Sequence, residues 1–163
     1  MSGDSWFSTD PAQSIHWAAN REAFEKRFPA QTAEILSAIP RLSAYEFLEI
    51  GLQQFAVRRR EDGALLYGPA DFHSRLPAAL DRIMTLYHRG VELIIIAGTG
   101  LGYLAAHLEP YIQARNMAGL LLLEPAPELA IAQWCLFDCR PLIESLRIFW
   151  ATGRPLGPVA QSL

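Results

Sequence analysis

Val91-Glu92-Leu93-Ile94-Ile95-Ile96-Ala97-Gly98-Thr99-Gly100-Leu101-Gly102-Tyr103 is a β-branched apolar run that enters three closely spaced glycines. It opens into a helix-compatible segment, Tyr103 to Arg115. A short apolar run of this kind reads as a buried parallel strand, and the change of period after it as the following helix. Glycine suits the junction because the chain turns sharply there and a phosphate or ribose can approach bare backbone. Further on, Leu120-Leu121-Leu122-Leu123 ends in Glu124. About 20 residues past such a turn, dinucleotide-type folds place a carboxylate on ribose hydroxyls. Gly98, Gly100, Gly102 and Glu124 are therefore the candidate nucleotide-binding residues.

Outward from this stretch, the pattern predicts strand 92–97, helix 103–116, strand 120–124, helix 127–138 and strand 146–150. Pro127 sits in the first turn of the second helix. A β-α-β-α-β series implies a parallel sheet with right-handed crossovers. On the amino-terminal side, Asp10-Pro11-Ala12-Gln13 reads as a helix start, with Asp10 as N-cap and Pro11 at N1. Trp17, Phe24 and Phe28 then recur on one face. Pro29 ends that helix and begins a second one, which buries Ile35, Leu36 and Ile39 before Pro40 closes it. Phe55 and Val57 alternate, and Asp62-Gly63 between strand-like runs signals a hairpin. Phe72, Leu76, Leu80, Ile83 and Tyr87 return to helical spacing. Pro77 puts the regular helix start near Leu76, and Gly90 is a natural C-cap.

The expected fold is thus α/β. A small α+β amino-terminal unit of helices plus a β-hairpin spans 10–88, and a partial Rossmann-like parallel βαβαβ unit spans 91–153. Residues 1–9 are expected to be a disordered start and 154–163 a loop-like tail. A doubly wound sheet has five or six parallel strands, and only three are found here. The remnant leaves an unpaired edge and uncovered apolar faces, which invite association. Either the hairpin strands extend this sheet, or the chain forms a homo-oligomer, or it is the front part of a larger protein, and the last is the expectation here.

Composition narrows the function classes. Hydrophobic residues are 51% and charged residues 19% of the 163, which excludes a disordered chain. A net charge of −3 and a pI near 5.8 give no electrostatic footprint for nucleic acid. The amino terminus has no basic n-region or apolar h-region, and no apolar stretch reaches the ~20 residues of a membrane span; a cytoplasmic location is expected. Arg58-Arg59-Arg60-Glu61 reads as the solvated end of a strand. Cys135 and Cys139 read as two small buried hydrophobes, and no metal site is expected because further ligands at partner spacing are missing. His16, His73, His88 and His107 are scattered. No Ser-His-Asp order surrounds an elbow sequence and no Walker-type Gly-Lys-Ser occurs. Asp71 reads as a helix cap rather than an acid–base group. No catalytic residue is identified.

The chain resembles the amino-terminal and front Rossmann-like region of bacterial motility accessory factors (Maf), the flagellin glycosyltransferase-like proteins, over roughly 15–153. The likeness rests on Asn20-Arg21-Glu22-Ala23-Phe24-Glu25-Lys26-Arg27-Phe28-Pro29, on the Asp62-Gly63 hairpin with its Pro-containing helix, and on Gly98-Thr99-Gly100-Leu101-Gly102-Tyr103 with Glu124-Pro125. Asp138-Cys139-Arg140-Pro141-Leu142-Ile143 has the expected character as well. The resemblance implies a role in flagellin O-glycosylation, transferring a nonulosonic acid from a CMP-linked sugar donor. Backbone amides near Gly98, Gly100 and Gly102 and the helix start at Tyr103 would hold the donor phosphate, and Glu124 a ribose. Such proteins are larger than this chain, so the remaining transferase region would lie beyond residue 163. Two alternatives stay open. Gly-x-Gly-x-Gly spacing also suits an S-adenosylmethionine-dependent methyltransferase, although Ile96 stands where that class carries an acid. In a non-enzymatic docking module, the glycines would only permit tight strand–helix packing.

Overall fold

The computed structural model describes residues 8–153 apart from 70, 89–90, 92 and 115–118. The expected disordered start (except residues 8–9), the tail 154–163, the Gly90 cap and residues 115–116 of the expected helix 103–116 lie outside the described residues.

The first helix begins at Trp17, and the turn that leads into it is held by Ser14 rather than Asp10. Ser14 Oγ accepts hydrogen bonds from the His16 and Trp17 amides, both at 3.1 Å, and donates to the Cys135 carbonyl at 2.7 Å. Asp10 only closes a local turn, its Oδ1 accepting from the Ala12 amide at 2.9 Å. Ser14 thus holds the turn that feeds the helix and ties it to the rest of the fold, and α1 runs Trp17–Arg27. Pro29, with its fixed φ and no N–H to lose, opens α2 (Pro29–Ser37), and a 3₁₀ segment follows over Ile39–Ala44.

Three antiparallel strands come next in the order β1 (Tyr45–Gly51), β2 (Gln54–Arg59) and β3 (Leu65–Tyr67). Phe47 faces Val57, and Gly63 at φ +70° turns β2 into β3. The hairpin is therefore an outer part of a three-stranded meander, separate from the parallel sheet. Asp62 holds the second turn. Its carboxylate takes two bonds from the Arg59 guanidinium and one from the Ala64 amide. The Arg59 pairing pulls the Asp62 pKa down to about 2. A depressed carboxyl contributes stability above its unfolded value and loses it as pH falls through the folded one. Carbon-detected NMR titration should accordingly find Asp62 protonating near pH 2, and near its ordinary value in Arg59→Ala.

A single π-helical turn, Asp71–Arg75, leads into α3 (Leu76–His88). Asp71 accepts from the Gly68 amide at 2.7 Å and pairs with Arg75 at 3.0 Å, a closing role for this turn. The remainder is β4 (Leu93–Ala97), α4 (Tyr103–Ala114), β5 (Gly119–Glu124), α5 (Pro127–Leu136), α6 (Arg140–Glu144) and β6 (Ile148–Thr152). The strands form one parallel sheet in the order β4-β5-β6. The fold is α/β, with mixed helices, a three-stranded parallel sheet and an antiparallel sheet.

One face of the parallel sheet, carrying Ile94, Ile96, Leu120, Leu122, Ile148 and Trp150, is buried beneath α1, α2, α4, α5 and α6. Phe24, fully buried, lies 4.6 Å from the Trp134 ring and 6.3 Å from Trp150. Asn20 fastens α1 to the α5–α6 corner. Its Nδ2 donates to the Trp134 and Phe137 carbonyls and its Oδ1 accepts from the Cys139 amide, all between 2.7 and 2.9 Å. Asn20→Ala removes three buried bonds and should cost about 3 kcal/mol, read as a lower midpoint in urea unfolding. Cys135 and Cys139 are both buried free thiols, Cys139 lying just past the end of α5. The opposite sheet face leaves Leu93, Ile95 and Phe149 between 40 and 48% exposed. No helix among the described residues is long and apolar enough to cross a membrane.

Candidate functional site

The turn after β4 is framed by a second core. Phe55 and Val57 of the meander pack with Leu101, Leu129, Ala132 and Leu136, so the antiparallel sheet lies against the glycine turn and α5. Tyr103, at the start of α4, joins the two physically. Its hydroxyl donates to the Gln53 carbonyl at 3.2 Å and accepts from the Phe55 amide at 3.0 Å. Its ring stacks on Tyr67 at 5.4 Å and meets Phe72 and Phe137 edge-on. Burial raises the pKa of Tyr103, and that of Tyr67 to about 12.

All three glycines have positive φ, at +74°, +55° and +76° for Gly98, Gly100 and Gly102. Their surroundings differ. A Cβ on Gly98 would meet nothing within 4 Å, and one on Gly100 would meet only the Tyr67 ring at 3.8 Å. A Cβ on Gly102 would stand 1.9 Å from Gln133 Nε2, so there the bare backbone lets α5 approach α4. Their amides are also engaged within the protein. Gly98 donates to the Leu123 carbonyl at 2.8 Å, Gly100 to Glu124 at 2.7 Å, and Gly102 to the Thr99 carbonyl at 2.8 Å. A phosphate cradled by these three amides, as the sequence suggested, would have to displace those acceptors.

Glu124 is 2% exposed at the end of β5. One carboxylate oxygen accepts from the Gly100 amide and from Thr99 Oγ1 at 3.0 Å; the other accepts from the Ala126 amide at 3.0 Å. Burial raises its pKa, more than these donors lower it, and Glu128 nearby raises it further. Sequence spacing placed this carboxylate beside the turn correctly, but it is directed into the turn itself. Glu128 in turn meets Tyr45 Oη at 3.3 Å and the Arg41 guanidinium at 3.7 Å.

On the far side of Gly102 and Tyr103 lies a cleft of about 730 Å³ between the Leu52–Gln54 tip, the start of α3, and α4 with α5. His16 and His107 are both among the residues that line it. No group of three or more His, Cys, Asp or Glu among the described residues could hold a metal ion. Neither the cleft nor the placement of Tyr67 beside Gly100 is legible from local spacing, because both depend on how the meander docks.

No protein-family model matches the chain, and no curated protein sequence matches it. Among solved structures, it is similar to a MAf glycosyltransferase from Magnetospirillum magneticum AMB-1, with a TM-score of 0.58 and 21% identity. The likeness covers 89% of this chain and 28% of that one, so the chain spans little more than a quarter of its neighbour. The likeness is one of fold. It extends over nearly all of this chain.

Proposed function

We propose that this chain is the nucleotide-sugar-binding part of a Maf-like glycosyltransferase acting in flagellin O-glycosylation in the cytoplasm, with a CMP-activated nonulosonic acid as donor. The observation that carries this reading is the shared fold over 89% of the chain with a MAf glycosyltransferase. The glycine turn at the carboxyl end of β4 supports it, since ligands of open α/β sheets bind outside the carboxyl ends of the strands. Gly98 offers the approach, being the glycine with open space beside it. Gly100, Gly102 and Glu124 hold the shape of the turn around it. Further polypeptide or a second copy would complete the sheet along the outer side of β4, which pairs only with β5 among the described residues.

The test is a thermal-stability titration of the chain with CMP, a CMP-linked nonulosonic acid, S-adenosylmethionine and NAD, repeated on Gly98→Ala. At a hundredfold over its dissociation constant, a ligand adds about 2.7 kcal/mol. Stabilisation by the CMP compounds that is lost in Gly98→Ala supports the transferase reading. A response to S-adenosylmethionine alone would transfer the site to a methyltransferase. Silence across the panel would leave a docking module.

A further inference from the structure

We propose that the cleft beyond Gly102 is a second binding site, taking an apolar ring-bearing small molecule with one N–H or O–H donor, and that Gln133 is its hydrogen-bond acceptor. This site stands apart from the nucleotide-sugar reading and does not rest on it.

The cleft's volume of about 730 Å³ falls within the range of small-molecule pockets. Leu76, Leu80, Leu101 and Leu136 line it together with the Phe72 and Phe137 rings, surfaces that suit an apolar ring. Two of its polar groups are already satisfied by the protein. The Tyr103 hydroxyl is bound on both sides by the Gln53–Phe55 backbone, and both Asp138 oxygens are taken by Arg140. Gln133 is different. It is 2% exposed, it lines the cleft, and its Oε1 is buried without a partner. A buried acceptor left unmade is costly, and native folds rarely keep one without a use.

The third glycine explains how the amide comes to be there. With φ +76° and no Cβ, Gly102 leaves the space that the Gln133 amide fills. Gly102 and Gln133 together place a polar point beside the apolar stretch of wall made by Leu101, Leu136 and Phe137. This is the arrangement that orients a ligand in a mostly hydrophobic pocket.

The experiment uses the full chain and two isosteric probes, indole and benzofuran, which differ in that indole carries an N–H. Binding is followed by the shifts of the Gln133 side-chain amide and neighbouring backbone amides in ¹⁵N spectra. The expected result is that indole binds about five-fold more tightly than benzofuran, the worth of one net hydrogen bond. Gln133→Leu should bind both probes equally. Ala106→Trp, a change at a solvent-facing position of the lining, should abolish both while the melting point stays close to wild type. Equal binding of the two probes by wild type, binding that survives Ala106→Trp, or binding of neither would each overturn the proposal. The probes carry no phosphate or sugar, so the result is independent of the response to CMP.

Discussion

Glu124→Ala is expected to lower the unfolding free energy by about 4 kcal/mol and the melting temperature by about 10 °C. The change leaves the Gly100 amide, the Thr99 hydroxyl and the Ala126 amide without their acceptor in a largely buried site. Burying the carboxylate is itself unfavourable, which offsets part of this loss but not three abandoned donors. Glu124→Gln keeps one acceptor oxygen for the Gly100 side while presenting an NH₂ to the Ala126 amide, so about half the effect should remain. A pH series separates charge from shape. The folded pKa of Glu124 is raised above its ordinary 4.5. Its contribution is therefore full below the unfolded value and is lost as pH rises through the folded one. Wild type should lose more stability than Glu124→Gln between pH 4 and 7. Glu128, Tyr45 and Arg41 face the same corner. Equal slopes in the two proteins would mean that the carboxylate is not strained by burial.

The second large effect is Gly102→Val, expected to cost about 4 kcal/mol, against about 1 kcal/mol for Gly98→Ala. Both positions have nearly the same φ, so the backbone term is similar in kind, though a β-branched side chain feels it more. The rest of the difference is packing. At Gly98 the added carbon enters open space; at Gly102 it strikes the buried Gln133 amide. In a Gln133→Ala background the cost of Gly102→Val should shrink by more than 1 kcal/mol, measured as the coupling term of a double-mutant cycle. Additive effects would show that Gly102 is required for its dihedral angle alone.

The second half of the fold was readable because its signals are local. Leu93 to Ala97 and Leu120 to Leu123 are short apolar runs bounded by glycine or a charged residue, the signature of strands, and proline marks the starts of α2 and α5. The strand β1 was not read from the sequence. Leu48 and Ile50 are apolar yet more than a third exposed, and they blur the alternation that Phe47 would otherwise set. The short helix α6 was missed as well, because five residues are too few to show a period. Ser14 outranked Asp10 through a bond to Cys135, 121 residues away, which no local capping rule contains. At the site, spacing put Glu124 next to the glycines. The direction of its carboxylate depends on where the Gly100 amide, the Thr99 hydroxyl and the Ala126 amide sit, and those positions belong to the folded turn. Gln133 lies 31 residues beyond Gly102, and nothing in the intervening sequence pairs them.

Tyr103 has a consequence for how the protein opens. Because its hydroxyl receives the Phe55 amide and holds the Gln53 carbonyl, the meander cannot lift from α4 without exposing Phe55 to solvent deuterium. The exchange rate of that one amide therefore clocks the separation of the two sheets, and Tyr103→Phe would advance the clock without removing the ring that Tyr67 stacks against.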